Sequence, residues 1–292
     1  MDSKYGWALI GGAESSMLMD KPRSSSKRKS RRRLVLLMAV SCLVNCPDVF
    51  SGIALSHTEA VRIGNKVWQN ESNGTIAGLT SWNKGENFAS LGIGHFIWYP
   101  KGVEGPFEES FPKLVNFISA RGAKLPTMLL NADNQHCPWR SRMEFLRAQQ
   151  TPQMKQLRQF LADTIDLQAE FLVTRLHGAL PKMLAEAAPS ERAKVEQNFE
   201  RVAKTPQGCY ALVDYVNFKG EGVLHTERYN NQGWGLLQVL IQMSPNAGKP
   251  VSEFSSAAAF VLERRVRNSP PARHEAQWLP GWLNRVRSYN RD

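Results

Sequence analysis

The densest run of chemically capable side chains lies between Glu71 and His95, in the stretch ESNGTIAGLTSWNKGENFASLGIGH. Glu71 closes a segment with helical spacing, and a carboxylate at a helix C-terminus faces the negative end of the helix dipole. That position disfavours the ionised form, and Trp68, three residues earlier, adds an apolar wall. A glutamate held protonated near neutral pH is a general acid, which is what cleavage of a glycosidic bond requires. Downstream, Trp82 offers a ring face for stacking on a sugar, while Asn83 and Ser90 are placed to hold a water or an N-acetyl group. His95, between Gly94 and Phe96, joins the same rim, with a structural hydrogen bond as its first expected role.

A second polar cluster, Phe218 to Gly235, is rich in glycine and lies between two helical stretches, as functional loops often do. Its Glu221 and Glu227, together with Glu86 at the tip of the first cluster, are alternative carboxylates for a two-acid mechanism. A single acid favours a substrate-assisted, transglycosylase-like reaction, whereas two carboxylates favour hydrolysis. The bland reading of Glu221 and Glu227 is ion pairing with Arg228 or Lys219 in a surface loop. No CxxC or HxxxH spacing points to a metal, and nothing calls for a cofactor.

The elements that must position these residues read as follows. Ser56-His57-Thr58-Glu59 is a capping-box pattern, with Ala60, Ile63 and Val67 following, so a helix is expected over 57–70, broken by Asn73-Gly74. Two strand-like runs, 76–82 and 88–98, flank the turn Asn83-Lys84-Gly85 and predict a small hairpin, the one convincing β segment. Helical patterns then cover 108–120, 138–149, 151–176, 190–203, 209–218, 234–243 and 252–266, punctuated by prolines. The aromatic segment Trp278-Leu279-Pro280-Gly281-Trp282, followed by Arg285 and Tyr289, reads as a last helix docked on the core. The expected fold class is mainly α (α+β), a single helical domain over 55–292 with a β-hairpin near its start.

A helix ending in Glu71, then a hairpin ending in Ser90-Leu91-Gly92-Ile93-Gly94-His95, resembles the phage-type lysozymes, where the pattern is Thr-hydrophobic-Gly-hydrophobic-Gly-His. The resemblance implies a lysozyme-like domain in which Glu71 is the general acid, Ser90 takes the place of the threonine and His95 that of the histidine. Where that family has an aspartate early in the hairpin, this chain has Trp82, Asn83 and Lys84, and its Glu-to-Gly spacing is several residues longer. Glu71-Ser72 also resembles the start of lytic transglycosylases. Gly235-Leu236-Leu237-Gln238 and Tyr229-Asn230 resemble two of their motifs, in the wrong order and far from Glu71. The implied activity is cleavage of an amino-sugar polymer, peptidoglycan first. The alternatives are a non-catalytic envelope protein that binds glycan in such a groove, or an unrelated exported helical protein.

The N-terminal region supplies an address. Residues 27–33 are a basic n-region and 34–45 an apolar run, short of the roughly 20 residues of a membrane span. They read as a bacterial-type signal segment with cleavage near Ala54, and the expected location is periplasmic or secreted, with membrane contact only through that segment. Residues 1–54 carry nine Lys/Arg against four Asp/Glu, so they hold +5 of the +11 and leave 238 residues at about +6. That charge suits an anionic polymeric partner such as cell wall. It is too diffuse for nucleic acid, and no basic stripe with interleaved aromatics is present. Two of the four cysteines, Cys137 and Cys209, lie beyond residue 54, either as one disulfide or as two buried thiols.

Overall fold

Helix α1 (His57–Ser72) opens on the expected capping box: Glu59 N–H donates to Ser56 Oγ at 3.2 Å, and Ser56 N–H returns to Glu59 Oε2 at 2.8 Å. It ends at Asn73, whose left-handed φ of 54° and the following Gly74 turn the chain away. Ala60, Ile63, Gly64, Val67 and Glu71 form its buried stripe. The computed structural model describes residues 55–105, 107–130, 136–244 and 248–291. The basic and apolar segments expected to direct export, 27–33 and 34–45, lie outside the described residues.

The expected two-stranded hairpin is a three-stranded antiparallel sheet, β1 (Thr80–Ser81), β2 (Ala89–Leu91) and β3 (Phe96–Trp98), in the order β1-β2-β3. The run 88–98 does not stay extended because Gly92, at φ 73°, and His95, at φ 49°, fold it into a tight turn. Register pairs Thr80 with Leu91 and Ala89 with Trp98.

The remainder is helical: α2 (Phe111–Ala120), α3 (Arg142–Ala148), α4 (Pro152–Asp163), α5 (Ile165–Glu186), α6 (Pro189–Ala203), α7 (Pro206–Lys219), α8 (Leu236–Gln242), α9 (Pro250–Asn268) and α10 (Leu279–Arg287). The protein is therefore mainly α with a small antiparallel sheet. The long stretch expected over 151–176 is two helices. Thr164 breaks it by donating its hydroxyl to Phe160 O at 2.8 Å, and α5 then runs ten residues further, through Pro181. A second β element, unexpected from the sequence, pairs β4 (Arg228–Tyr229) with β5 (Gln232–Gly233). Asn230 and Asn231 form its turn at φ 48° and 59°, the conformation a two-residue hairpin loop demands.

Helix α7 is apolar on most of its circumference and buried along nearly its whole length, as expected of a helix at the centre of a core. Helix α1 crosses α5 closely. A Cβ on Gly64 would stand 2.4 Å from the Cβ of Ala169, so only glycine permits that approach. Cys137 and Cys209 are two separate buried thiols. Among the described residues no helix is long and apolar enough to cross a membrane.

Candidate active site

Glu71 occupies the last turn of α1, on the stripe that faces the core, and its side chain is 0% exposed. Its Oε1 accepts from Arg285 Nη2 at 2.6 Å and from Asn217 Nδ2 at 3.3 Å, while Oε2 lies 3.7 Å from His95 Nδ1. Arg285, from α10, is a fork: its Nε and Nη2 donate to the two oxygens of Asp214 on α7, both at 2.8 Å. Tyr289 Oη donates to Asp214 Oδ2 at 2.6 Å and Asn70 Nδ2 to Oδ1 at 3.1 Å. Burial works to raise the Asp214 pKa, but Arg285, then Tyr289 and Asn70, overcome it and hold the carboxyl below its ordinary range. Two buried carboxylates thus share one guanidinium, which ties α1, α7 and α10 into one charged knot.

His95 closes the turn between β2 and β3. Its Nε2 is 3.1 Å from Gly78 O. A carbonyl only accepts, so Nε2 carries the proton and Nδ1 is the nitrogen turned to Glu71. The two glycines before it have packing reasons. A Cβ on Gly92 would meet Gln168 Oε1 at 2.4 Å, and one on Gly94 would meet Asn217 Oδ1 at 2.9 Å. Gln168, fully buried in α5, accepts from Ile93 N–H at 2.9 Å and anchors this turn. The Gly-Ile-Gly-His signature is therefore the means by which a turn comes within reach of α5, α7 and Glu71.

His95 and Asn217 also form part of the wall of a cavity of about 330 Å³. The loop between β1 and β2 contributes Glu86 and the sheet Ser90 and Ile97; the segment before α2 contributes Phe107 and Glu108. Helix α5 adds Arg175 and Lys182, α7 adds its end at Phe218 and Lys219, and the following loop adds Glu221 and Glu227. Glu71 stands one side chain behind this wall. Trp82 is a core residue, packed against Phe145 at 5.8 Å with its indole N–H on Glu86 O at 2.8 Å. Asn83 holds Glu86 Oε1 at 3.2 Å. Neither Trp82 nor Asn83 lines the cavity, whereas Ser90, His95, Glu86, Glu221 and Glu227 all do.

Burial pushes Glu86 up to about 7, against the hydrogen bond from Asn83. Glu227 is likewise pushed up to about 7 by burial, with Arg265 opposing and Glu221 and Glu108 adding to the rise. Its carboxylate lies over Gly220, where a Cβ would stand 3.0 Å from both oxygens. Glu221 is ion-paired to Lys182 Nζ at 2.9 Å. Lys219 is held over the rings of Trp282, at 3.5 Å, and Phe218, at 4.0 Å, and burial draws its amine well below the usual lysine range.

The Gly235–Gln238 motif has a local explanation. Gln238 Nε2 donates to Gly222 O at 3.0 Å and its Oε1 accepts from Gly235 N–H at 2.9 Å, which straps the loop carrying Glu221 and Glu227. Beneath that loop the buried pair Arg265–Glu275, at 2.7 and 2.8 Å, receives Tyr229 Oη at 2.8 Å and fixes the β4–β5 hairpin.

Asp214, Asn217 and Arg285 were not singled out as site residues in the sequence, although Asp214 carried a signal. It is the one acid in the apolar run Tyr210–Phe218, and a buried acid requires a buried partner. Among the described residues no group of His, Cys, Asp and Glu side chains is arranged to hold a metal ion. No protein-family model, curated protein or solved structure matches this chain.

Proposed function

We propose that this chain is an exported glycosidase of lysozyme-like architecture that hydrolyses amino-sugar polymers, peptidoglycan first. The observation that carries the reading is the pair Glu86 and Glu227: both border one cavity beside Ser90, His95 and Asn217, and both titrate at about 7. A general acid must be protonated at working pH and within reach of the leaving oxygen. Glu227 is pushed up to about 7, borders the cavity, and has a carboxylate that no hydrogen bond from the described residues engages. In this reading Glu227 donates its proton to the glycosidic oxygen as the C–O bond breaks. Glu86, whose ionised form is favoured by the Asn83 hydrogen bond, takes a proton from the attacking water. Ser90 and Asn217 orient the sugar. Glu71 is a positioning residue, holding Asn217 in the wall by accepting from its Nδ2.

A second reading keeps Glu71 as the acid, as the resemblance implies. It is favoured by the Arg285–Glu71–His95 contacts at the end of α1, and it requires Asn217 to give up its 3.3 Å contact so that substrate reaches Oε1. Incubation of purified cell-wall sacculi with the wild type, Glu227→Gln and Glu71→Gln, followed by mass spectrometry of soluble fragments, separates the readings. Release of fragments with reducing ends, lost in Glu227→Gln and reduced but present in Glu71→Gln, is the expected result. Anhydro ends point to transglycosylation. Binding to sacculi without any fragments leaves a glycan-binding protein, and no binding removes the glycan reading.

A further inference from the structure

Two cations of α5 border the cavity, and they differ in one respect. Arg175 and Lys182 are seven residues apart, which puts them on one face of the helix. Lys182 is hydrogen-bonded to Glu221, with contacts of 2.9 and 3.2 Å. Arg175 is not: among the described residues its guanidinium makes no hydrogen bond. Its ion-pair partner, Glu108, approaches to only 4.0 Å, outside hydrogen-bond range, and is itself hydrogen-bonded to Lys113. The Arg175 side chain is 23% exposed, so it is largely stripped of bulk water, and it borders the cavity with no hydrogen-bond partner for its fork of donors among the described residues. Burial lowers its pKa, with Glu108 and Glu221 opposing.

We propose that Arg175 is the docking point for a carboxylate on the ligand, so that the cavity selects acid-bearing amino sugars over neutral ones. The proposal rests on the glycan reading above and names its substrate class. A guanidinium and a carboxylate match as two parallel hydrogen bonds, and a partly desolvated pair of this kind is stronger than a neutral contact. A neutral hydroxyl or acetamide satisfies fewer of the five donors, and Glu108, at 4.0 Å, balances the charge without supplying a hydrogen bond. The carboxylate has two sources in peptidoglycan, the lactyl ether of the sugar itself or the attached peptide.

The test is an NMR titration of the full chain with four probes: N-acetylglucosamine, N-acetylmuramic acid, muramyl dipeptide and free D-lactate, in wild type, Arg175→Gln and Arg175→Lys. N-acetylmuramic acid is expected to bind at least tenfold more tightly than N-acetylglucosamine. Arg175→Gln is expected to abolish that preference and leave N-acetylglucosamine unchanged. Muramyl dipeptide has its lactyl carboxyl in an amide and a carboxylate on the peptide, so tight binding assigns the contact to the peptide and weak binding to the lactyl group. Should Arg175→Gln fail to fold, Arg175→Lys keeps the charge without the fork and is expected to lose several-fold of the preference. Equal affinity for the two sugars in wild type, or an undiminished preference in the Arg175 variants, overturns the proposal. If neither sugar nor dipeptide binds but D-lactate shifts the Arg175 Nε resonance, the glycan reading falls and the carboxylate site stands. Silence toward all four probes overturns both.

Discussion

Arg285 is shared by Glu71 and Asp214, both with side chains 0% exposed, and this single guanidinium sets the electrostatics behind the cavity. Removing one partner of such a buried set leaves charge uncompensated, which costs about 3–5 kcal/mol. Arg285→Ala is therefore expected to lose stability of about that size in a urea titration, and a loss below about 1 kcal/mol contradicts the geometry. The cavity carboxylates work in the opposite sense. Glu86 and Glu227 rise from 4.5 to about 7 on folding, so the stability tied to their protonated forms is complete below 4.5 and is lost as pH rises through about 7. Asp214 is depressed, so its contribution is complete above the ordinary carboxylate range and fades only as pH falls through its lower folded value. For the cavity pair the loss therefore falls between about pH 4.5 and 7. The melting temperature is expected to fall across that window in wild type and to stay flatter in the Glu86→Gln, Glu227→Gln double variant; equal slopes refute the assignment. Some of this was legible beforehand. Glu71 follows Ala60, Ile63 and Val67 at helical spacing, which places it on the buried face, and a sequence reading that stops at the helix dipole misses the consequence. Arg285 was not legible as its partner, because 214 positions separate them and only tertiary packing joins them.

At the scale of elements, two helix glycines make opposite predictions. Gly64 lies at the α1–α5 crossing, where a methyl group would stand 2.4 Å from Ala169 Cβ. Gly64→Ala forces the helices apart and is expected to destabilise by about 1–3 kcal/mol. Gly178 has nothing within 4 Å of its Cβ position, so Gly178→Ala gains helix propensity and is expected to stabilise by about 1 kcal/mol. Paired denaturation curves check both, and the same sign for the two contradicts the packing described. The elements themselves were largely readable from capping, periodicity and proline. The capping box of α1 stands where the pattern put it, while α6 and α7 begin one and three residues before their expected starts because Pro189 and Pro206 take the first helical positions. The departures share a cause: side chains that bond locally or accept positive φ are weak signals against hydrophobic pattern. Gly92 and His95 split one apparent strand in two, Thr164 splits one apparent helix, and Asn230-Asn231 makes a hairpin inside what read as a loop.

Across the whole molecule, the cavity lies between the N-terminal sheet, α5 and the loop after α7, and the C-terminal helix reaches back to the end of α1 through Arg285. Of the residues singled out in the sequence, Glu86, Ser90, His95, Glu221 and Glu227 border the cavity, whereas the walls from α5 and from the segment before α2 were not read there. The sequence pattern also placed Trp82 and Asn83 at the site, yet Trp82 is drawn into the core by Phe145 and Asn83 is occupied with Glu86. The proposed glycosidase needs one cavity acid protonated and the other ionised. Two groups titrating at about 7 give that combination most often near pH 7, so activity is expected to be bell-shaped with its maximum there. The most direct test is the initial rate of soluble fragment release from purified peptidoglycan at pH 7, wild type against Glu227→Gln, with matched melting curves. The account predicts that the variant loses at least about a hundredfold in rate, the usual contribution of a general acid. A folded Glu227→Gln that releases fragments at the wild-type rate contradicts it.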